Sequence, residues 1–157
     1  MALFEDRAES EVERAIALVE EAIRGLGLDP EKARAASGGR SYALRRGSAQ
    51  IAVTVHPGDG TREGTLRVAA PVVRLPSVEA QRNALLLYVL ELNARELVGA
   101  AFGVVGEELV VVSERLLRDL DRSEVDAAIR GVGRLADTWD DVLSSRFGAR
   151  RSSDPST

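Results

Sequence analysis

The sequence predicts an α+β fold: an antiparallel five-stranded sheet packed with three helices, in the order α-β-β-β-α-β-β-α. Three observations carry this. Apolar residues recur at helical spacing near both ends of the chain. They alternate with period two in the runs between residues 41 and 75. Tight turns join those runs as hairpins. Strands in hairpin-linked groups of three and two make an antiparallel sheet with helices packed on it. The alternation calls for one apolar and one polar sheet face.

The first helix spans 9–26. Val12, Ile16, Val19, Ile23 and Leu26 follow one another at spacings of four and three, which makes one apolar stripe. Ala15, Leu18 and Ala22 form a second, mildly apolar face, and Gly25 and Gly27 suit the helix end. The stripe reads either as core or as a surface that docks a partner segment. Residues 29–39 read as a loop, with Pro30 and Gly38-Gly39 as breakers.

Three strands follow: 41–46, 49–56 and 65–75. In the second, Ile51, Val53 and Val55 alternate with Ala52 and Thr54. In the third, Leu66, Val68, Ala70 and Val72 share a face. Gly47-Ser48 makes a tight turn, and 57–64 a longer hairpin loop. Pro71 inside the third run points to an edge position or a bulge.

Ser77 suits the N-cap of a helix over 78–94. Its middle, Ala84 to Leu90, is apolar all round. Such a helix is either sandwiched in the core or shared between a core and a second subunit. Strands at 98–105 and 109–113 flank the turn Gly106-Glu107-Glu108. The last helix, 123–145, carries the stripe Val125, Ile129, Val132, Ala136, Trp139 and Leu143. Residues 1–147 are expected to form a single domain, and 148–157 a disordered tail.

Composition narrows the chemistry. At 157 residues, with 45% hydrophobic and 29% charged, the chain suits one globular domain. Aromatics are 4%, so Leu, Val, Ile and Ala build the core. There is no cysteine and one histidine, His56, which removes disulfides, thiol catalysis and nearly every zinc ligand set. Neither a metal nor a cofactor is expected. The N-terminus lacks a basic segment followed by an apolar run, and Ala84 to Leu90 falls far short of the roughly 20 residues that span a bilayer. A cytoplasmic protein without membrane contact is the expectation. Lys32 is the sole lysine among 21 basic residues, a bias that fits a GC-rich bacterial genome.

Candidate catalytic groups are few. His56 precedes Pro57 at a strand end, with no placed carboxylate. Asp59 and Glu63 lack the ligand density of a calcium loop. Gly58, Gly60 and Gly64 lack the ending and the following helix of a phosphate loop. Asp137 and Asp141, four apart on the last helix, read as a solvated face.

Charge is uneven along the chain. The net charge of −4 disfavours nucleic acid, yet residues 40–76 hold six Arg against Asp59 and Glu63. Arg40, Arg45, Arg46, Arg67 and Arg74 would make an anion-binding surface, or simply a polar outer sheet face that complements the acidic first helix.

Three stretches carry a family resemblance. Gly64-Thr65-Leu66-Arg67-Val68-Ala69-Ala70-Pro71-Val72 resembles the third strand of the YbjN family, within the type III secretion chaperone-like fold. Leu87-Tyr88-Val89-Leu90-Glu91-Leu92-Asn93 resembles the end of its central helix. Residues 98–117 and the acidic helix ending near Trp139-Asp140-Asp141 resemble the remaining hairpin and helix. Gly99-Ala100-Ala101-Phe102-Gly103 departs from the family by side chains smaller than those of a usual paired strand. The resemblance implies a homodimer built through the central helix, and a non-catalytic role in holding an extended segment of a partner protein.

The sequence reading is therefore a dimeric chaperone or adaptor. The expected partner-binding residues are Val12, Ile16, Val19 and Ile23, with Ile51 and Val53 beneath. The expected dimer surface is Leu86, Tyr88, Val89 and Leu90. The alternative is a stress or regulatory protein that binds nucleic acid or another anion through 40–76.

Overall fold

The computed structural model describes residues 2–36, 38–59 and 61–155, with 2–7 as backbone alone. The elements are α1 (Ala2–Gly25), α2 (Pro30–Ala33), β1 (Ser41–Arg46), β2 (Ala49–His56), β3 (Thr65–Arg74), α3 (Glu79–Arg95), β4 (Ala101–Val105), β5 (Glu108–Leu116), α4 (Arg122–Phe147) and β6 (Arg150–Arg151). The α+β class and the antiparallel sheet stand, with one helical turn and one short strand added. Strand order is β1-β2-β3-β5-β4, all antiparallel, and β6 pairs with β3.

Each β1–β2 residue finds its partner from Ser41↔Thr54 to Arg46↔Ala49, around the two-residue turn Gly47-Ser48. Gly47 has φ +56°, at the first central position where a two-residue hairpin of this kind takes glycine. The β3–β5 register shifts between Pro71 and Val73, so Pro71 marks a bulge inside a central strand rather than an edge.

The helices cover one sheet face. Leu44, Ile51, Val53, Val55, Leu66, Val68 and Ala70 meet Val125, Ile129, Val132 and Ala136 of α4 and the inner face of α1 in one core. α4 starts on a capping box, with Asp121 accepting from the Glu124 N–H (2.9 Å) and Glu124 accepting from the Asp121 N–H (3.1 Å). A left-handed Gly148 ends it. At α3 the cap position is Val78, not Ser77, and no side chain caps it.

Two expectations are corrected. Residues 30–33 are a helical turn, because Asp29 caps it through the Glu31 N–H (3.0 Å) and Pro30 fits the first turn. The tail is not disordered from residue 148. β6 pairs Val73↔Arg151 and Arg74↔Arg150, Ser152 N–H donates to the Val72 carbonyl (3.0 Å), and Arg151 pairs with Asp141. β3 runs past the end of its β2 pairing at Ala69, and β6 takes up the bare edge. Positions 156–157 of that tail lie outside the described residues, as does Gly60.

The outer sheet face is also less polar than expected. The cross-strand row Ala43–Ala52–Ala69–Val112–Ala101 runs over all five main strands, with Ser41, Thr54, Arg67 and Glu114 beside it.

Candidate functional site

β1 ends the sheet, so one side of its backbone has no strand partner. The chain covers the beginning of that edge itself: the Ala35 N–H donates to the Ser41 carbonyl (2.8 Å), and Arg34 bridges Tyr42. Residues 43–46 remain as the open stretch.

Hollows lie on both faces of this stretch. One, of about 290 Å³, sits between the end of α1, β1 and α4. Leu26, Leu28, Leu44, Ile51 and Ile129 line it with apolar surface, and Arg45, Arg46 and Arg130 supply guanidinium groups. The other, of about 370 Å³, is bordered by Ala43, Arg45, Gln50, Ala52 and Pro71. Leu44, Arg45 and Ile51 border both. Successive side chains of a strand point to opposite faces, so a segment added along β1 would place alternate residues in the two hollows. Gly133 lets α4 close onto this end of the sheet, since a Cβ there would lie 2.7 Å from Ile51 Cδ1.

The structure redistributes the expected partner-binding residues. Val12, Val19, Ile23 and Val53 are sealed in the core, and Ile16 is half-buried against it. They offer no free groove, because α1 turns this face onto α4 and β2. Of the six, Ile51 lines both of these hollows. Leu28, Leu44 and Arg130 were not singled out. A leucine after a helix end or in a short strand carries no sign of the groove that only the tertiary fold creates.

α3 divides its all-round apolar surface. Leu85, Val89 and Leu92 face the core, while Leu87 (66% exposed) and Leu90 (60% exposed) face outward. Of the expected dimer residues, Leu90 is thus presented, Leu86 and Tyr88 are half-buried, and Val89 packs against its own chain. Tyr88 is engaged internally, edge-on to Trp139 (6.1 Å between centroids), beside Phe147 (5.4 Å) and under the Arg146 guanidinium (4.3 Å). Val98 (94% exposed), Val104 and Val105 continue the apolar exposure into β4. Asn93 ties α3 to that strand, donating to the Phe102 carbonyl (3.0 Å) and accepting its N–H (2.7 Å). β4 therefore pairs normally with β5 despite its small side chains.

The chemistry-bearing residues are occupied structurally. Asp59 accepts from the Thr61 hydroxyl and N–H and the Arg62 N–H (2.6, 3.0 and 2.9 Å), which shapes the β2–β3 loop. The Thr61 bonds, foremost among these, hold its carboxyl below the usual range. Glu63 pairs with Arg118 (3.0 Å). Buried Asp140 accepts from the Ser48 hydroxyl (2.7 Å) and the Asp141 N–H (2.7 Å), pinning the β1–β2 turn to α4. Among the described residues, no His, Cys, Asp and Glu side chains gather in a metal-holding group, and no helix is long and apolar enough to cross a membrane.

The family described as TY-Chap1, the type III secretion (YopN, CesT) and YbjN peptide-binding chaperone 1, matches residues 13–155. The chain belongs to this family. It is a peptide-binding chaperone, and an open sheet edge between two hollows suits that task. No curated protein matches it. Solved structures share its fold. A chain of the ExsC–ExsE complex is 16% identical with a TM-score of 0.59, over 84% of this chaperone and 95% of that chain. One from the HopA1–SchA chaperone–effector complex is 13% identical, TM-score 0.59, over 85% and 97%. One from the ExoU–SpcU complex of the Pseudomonas aeruginosa type III secretion system is 12% identical, TM-score 0.58, over 80% and 98%. The nucleic-acid alternative finds no support in these relatives, and Arg67 of the expected anion surface is taken by Glu114 (2.6 Å).

Proposed function

We propose that this chaperone is non-catalytic and homodimeric, and that it holds an extended segment of a partner protein by adding it as a strand to β1. The observation that carries the reading is the pair of hollows on opposite faces of one open edge. Backbone hydrogen bonds to the outward-facing groups of Ala43 and Arg45 would give affinity for any extended chain, and the hollows would select the side chains. The neighbours solved with effectors support a protein segment as ligand. The exposed apolar side of α3 with Val98 and Val104 supports a second copy there, the place where the family resemblance also puts the dimer.

Arg45→Pro tests the edge. Arg46 closes a two-residue hairpin with Ala49, so the antiparallel alternation aims the Arg45 N–H and carbonyl outward. Proline is tolerated where the lost N–H faces away from the sheet. A synthetic peptide with an alternating Val-Thr core, followed by fluorescence anisotropy, should lose at least about tenfold in affinity with this variant. The far-UV circular dichroism should stay that of the parent. Undiminished binding by a folded Arg45→Pro protein would place the client elsewhere.

A further inference from the structure

Six arginines among the described residues are paired with carboxylates. Arg24 and Arg34 pair with Glu20, Arg67 with Glu114, Arg118 with Glu63, Arg122 with Asp126, and Arg151 with Asp141. The three at the β1 hollow do not. Arg45, Arg46 and Arg130 have no carboxylate partner among the described residues, and the one contact shown there is Arg46 Nη1 donating to the Arg130 carbonyl (3.4 Å). Along α4, Asp126, four residues before Arg130, already pairs with Arg122 (3.1 Å), and Asp137 accepts the Ser48 N–H (3.3 Å). A chain of net charge −4 thus gathers uncompensated positive charge around one apolar groove.

We infer that the client segment is acidic as well as apolar: an extended stretch whose alternating apolar side chains fill the two hollows and whose Asp or Glu residues meet Arg45, Arg46 and Arg130. This rests on the strand-edge reading above and adds the chemistry of the ligand. Guanidinium groups bind carboxylates as paired donors, and they gain from it beside apolar walls that exclude water. The same groups disfavour basic segments by like charge, so the groove selects as well as attracts. Leu26, Leu28, Leu44 and Ile129 give the occupant an apolar floor, which a bare phosphate backbone would leave unused.

The test uses the full chain and three labelled probes: an alternating Val-Thr peptide flanked by Glu, the same core flanked by Lys, and single-stranded DNA. At low salt the Glu-flanked peptide should bind about tenfold more tightly than the Lys-flanked one. The advantage should shrink as salt screens the rim. The double variant Arg45→Glu/Arg130→Glu should reverse the preference, and its gain of Lys-peptide binding would show that it is folded. Equal binding of both peptides by the parent protein overturns the acidic selectivity while the strand-edge reading stands. Binding of neither peptide overturns both. A Glu preference that survives the double variant puts the selectivity outside this groove. DNA that competes with the Glu peptide and binds more tightly would make the hollow a nucleic-acid site and overturn the proposal.

Discussion

Tyr42 closes the first part of the β1 edge and so sets where the open stretch begins. Its ring is buried, its hydroxyl donates to Glu20 (2.9 Å), and Arg34 reaches the same carboxylate (2.8 Å) while lying 5.7 Å from the ring centroid. Burial first, and then the bond to Glu20, push the phenol up to about 12 from its ordinary 10.0. The protonated phenol is the form favoured in the folded state. Its contribution is full below the unfolded value of 10.0 and is lost as pH rises through about 12. Tyr42→Phe removes the donor but leaves Glu20 its arginines, so it should cost about 1 kcal/mol in urea unfolding near neutral pH. The parent should lose stability faster than the variant across that alkaline window. Parallel pH profiles for the two proteins would show that the hydroxyl does not stabilise the fold.

At the scale of elements, β6 shows how a short segment completes a long strand. Two paired residues, the Ser152 bond to Val72 and buried Ala149 cover the part of β3 that β2 leaves bare. A chain ending at Gly148 should be less stable by about 2 kcal/mol, from lost hydrogen bonds and apolar cover together, and thermal unfolding checks this. An unchanged midpoint would mean the tail only rests on the sheet. Nothing in the sequence of this tail announced a strand, because Arg150-Arg151 has no period and its partner lies far back in β3. The long elements were legible for the opposite reason. β1 and β2 were bounded correctly, since period-two alternation stops at glycine turns, and α4 was readable from its stripe to within a residue or two. Asp29-Pro30 is a readable helix start, an acidic cap before a first-turn proline, although Pro30 by itself reads as a breaker. The α1 stripe was read correctly as apolar, yet periodicity does not say whether an apolar face is sealed or offered, and α1 seals its own. The β1 groove joins residues from α1, β1 and α4, so no local pattern could carry it.

Across the whole molecule, the two sheet edges have different company. β1 stands at one end of the strand order beside the basic hollow, and β4 at the other end beside α3 and its outward leucines. Four inter-strand steps separate them by roughly 19 Å. A second copy docked on α3 and β4 would leave β1 open in both protomers, so the proposed dimer and the client do not compete for surface. Leu87→Asp/Leu90→Asp tests this arrangement. Both side chains are exposed, so the protomer should keep its melting behaviour to within about 0.5 kcal/mol per site, apart from what dimerisation adds. Sedimentation should shift from dimer to monomer, and a double variant that stays dimeric would move the interface away from α3. The monomer should still bind a single strand-forming peptide with the parent's affinity, because the β1 groove is untouched. A tandem peptide carrying two such strands on a flexible linker should separate the two forms. The dimer engages the second strand at an effective concentration set by the linker, and the monomer has no second edge to offer. Equal affinities for the tandem peptide would mean that the two edges of the dimer do not act on one client.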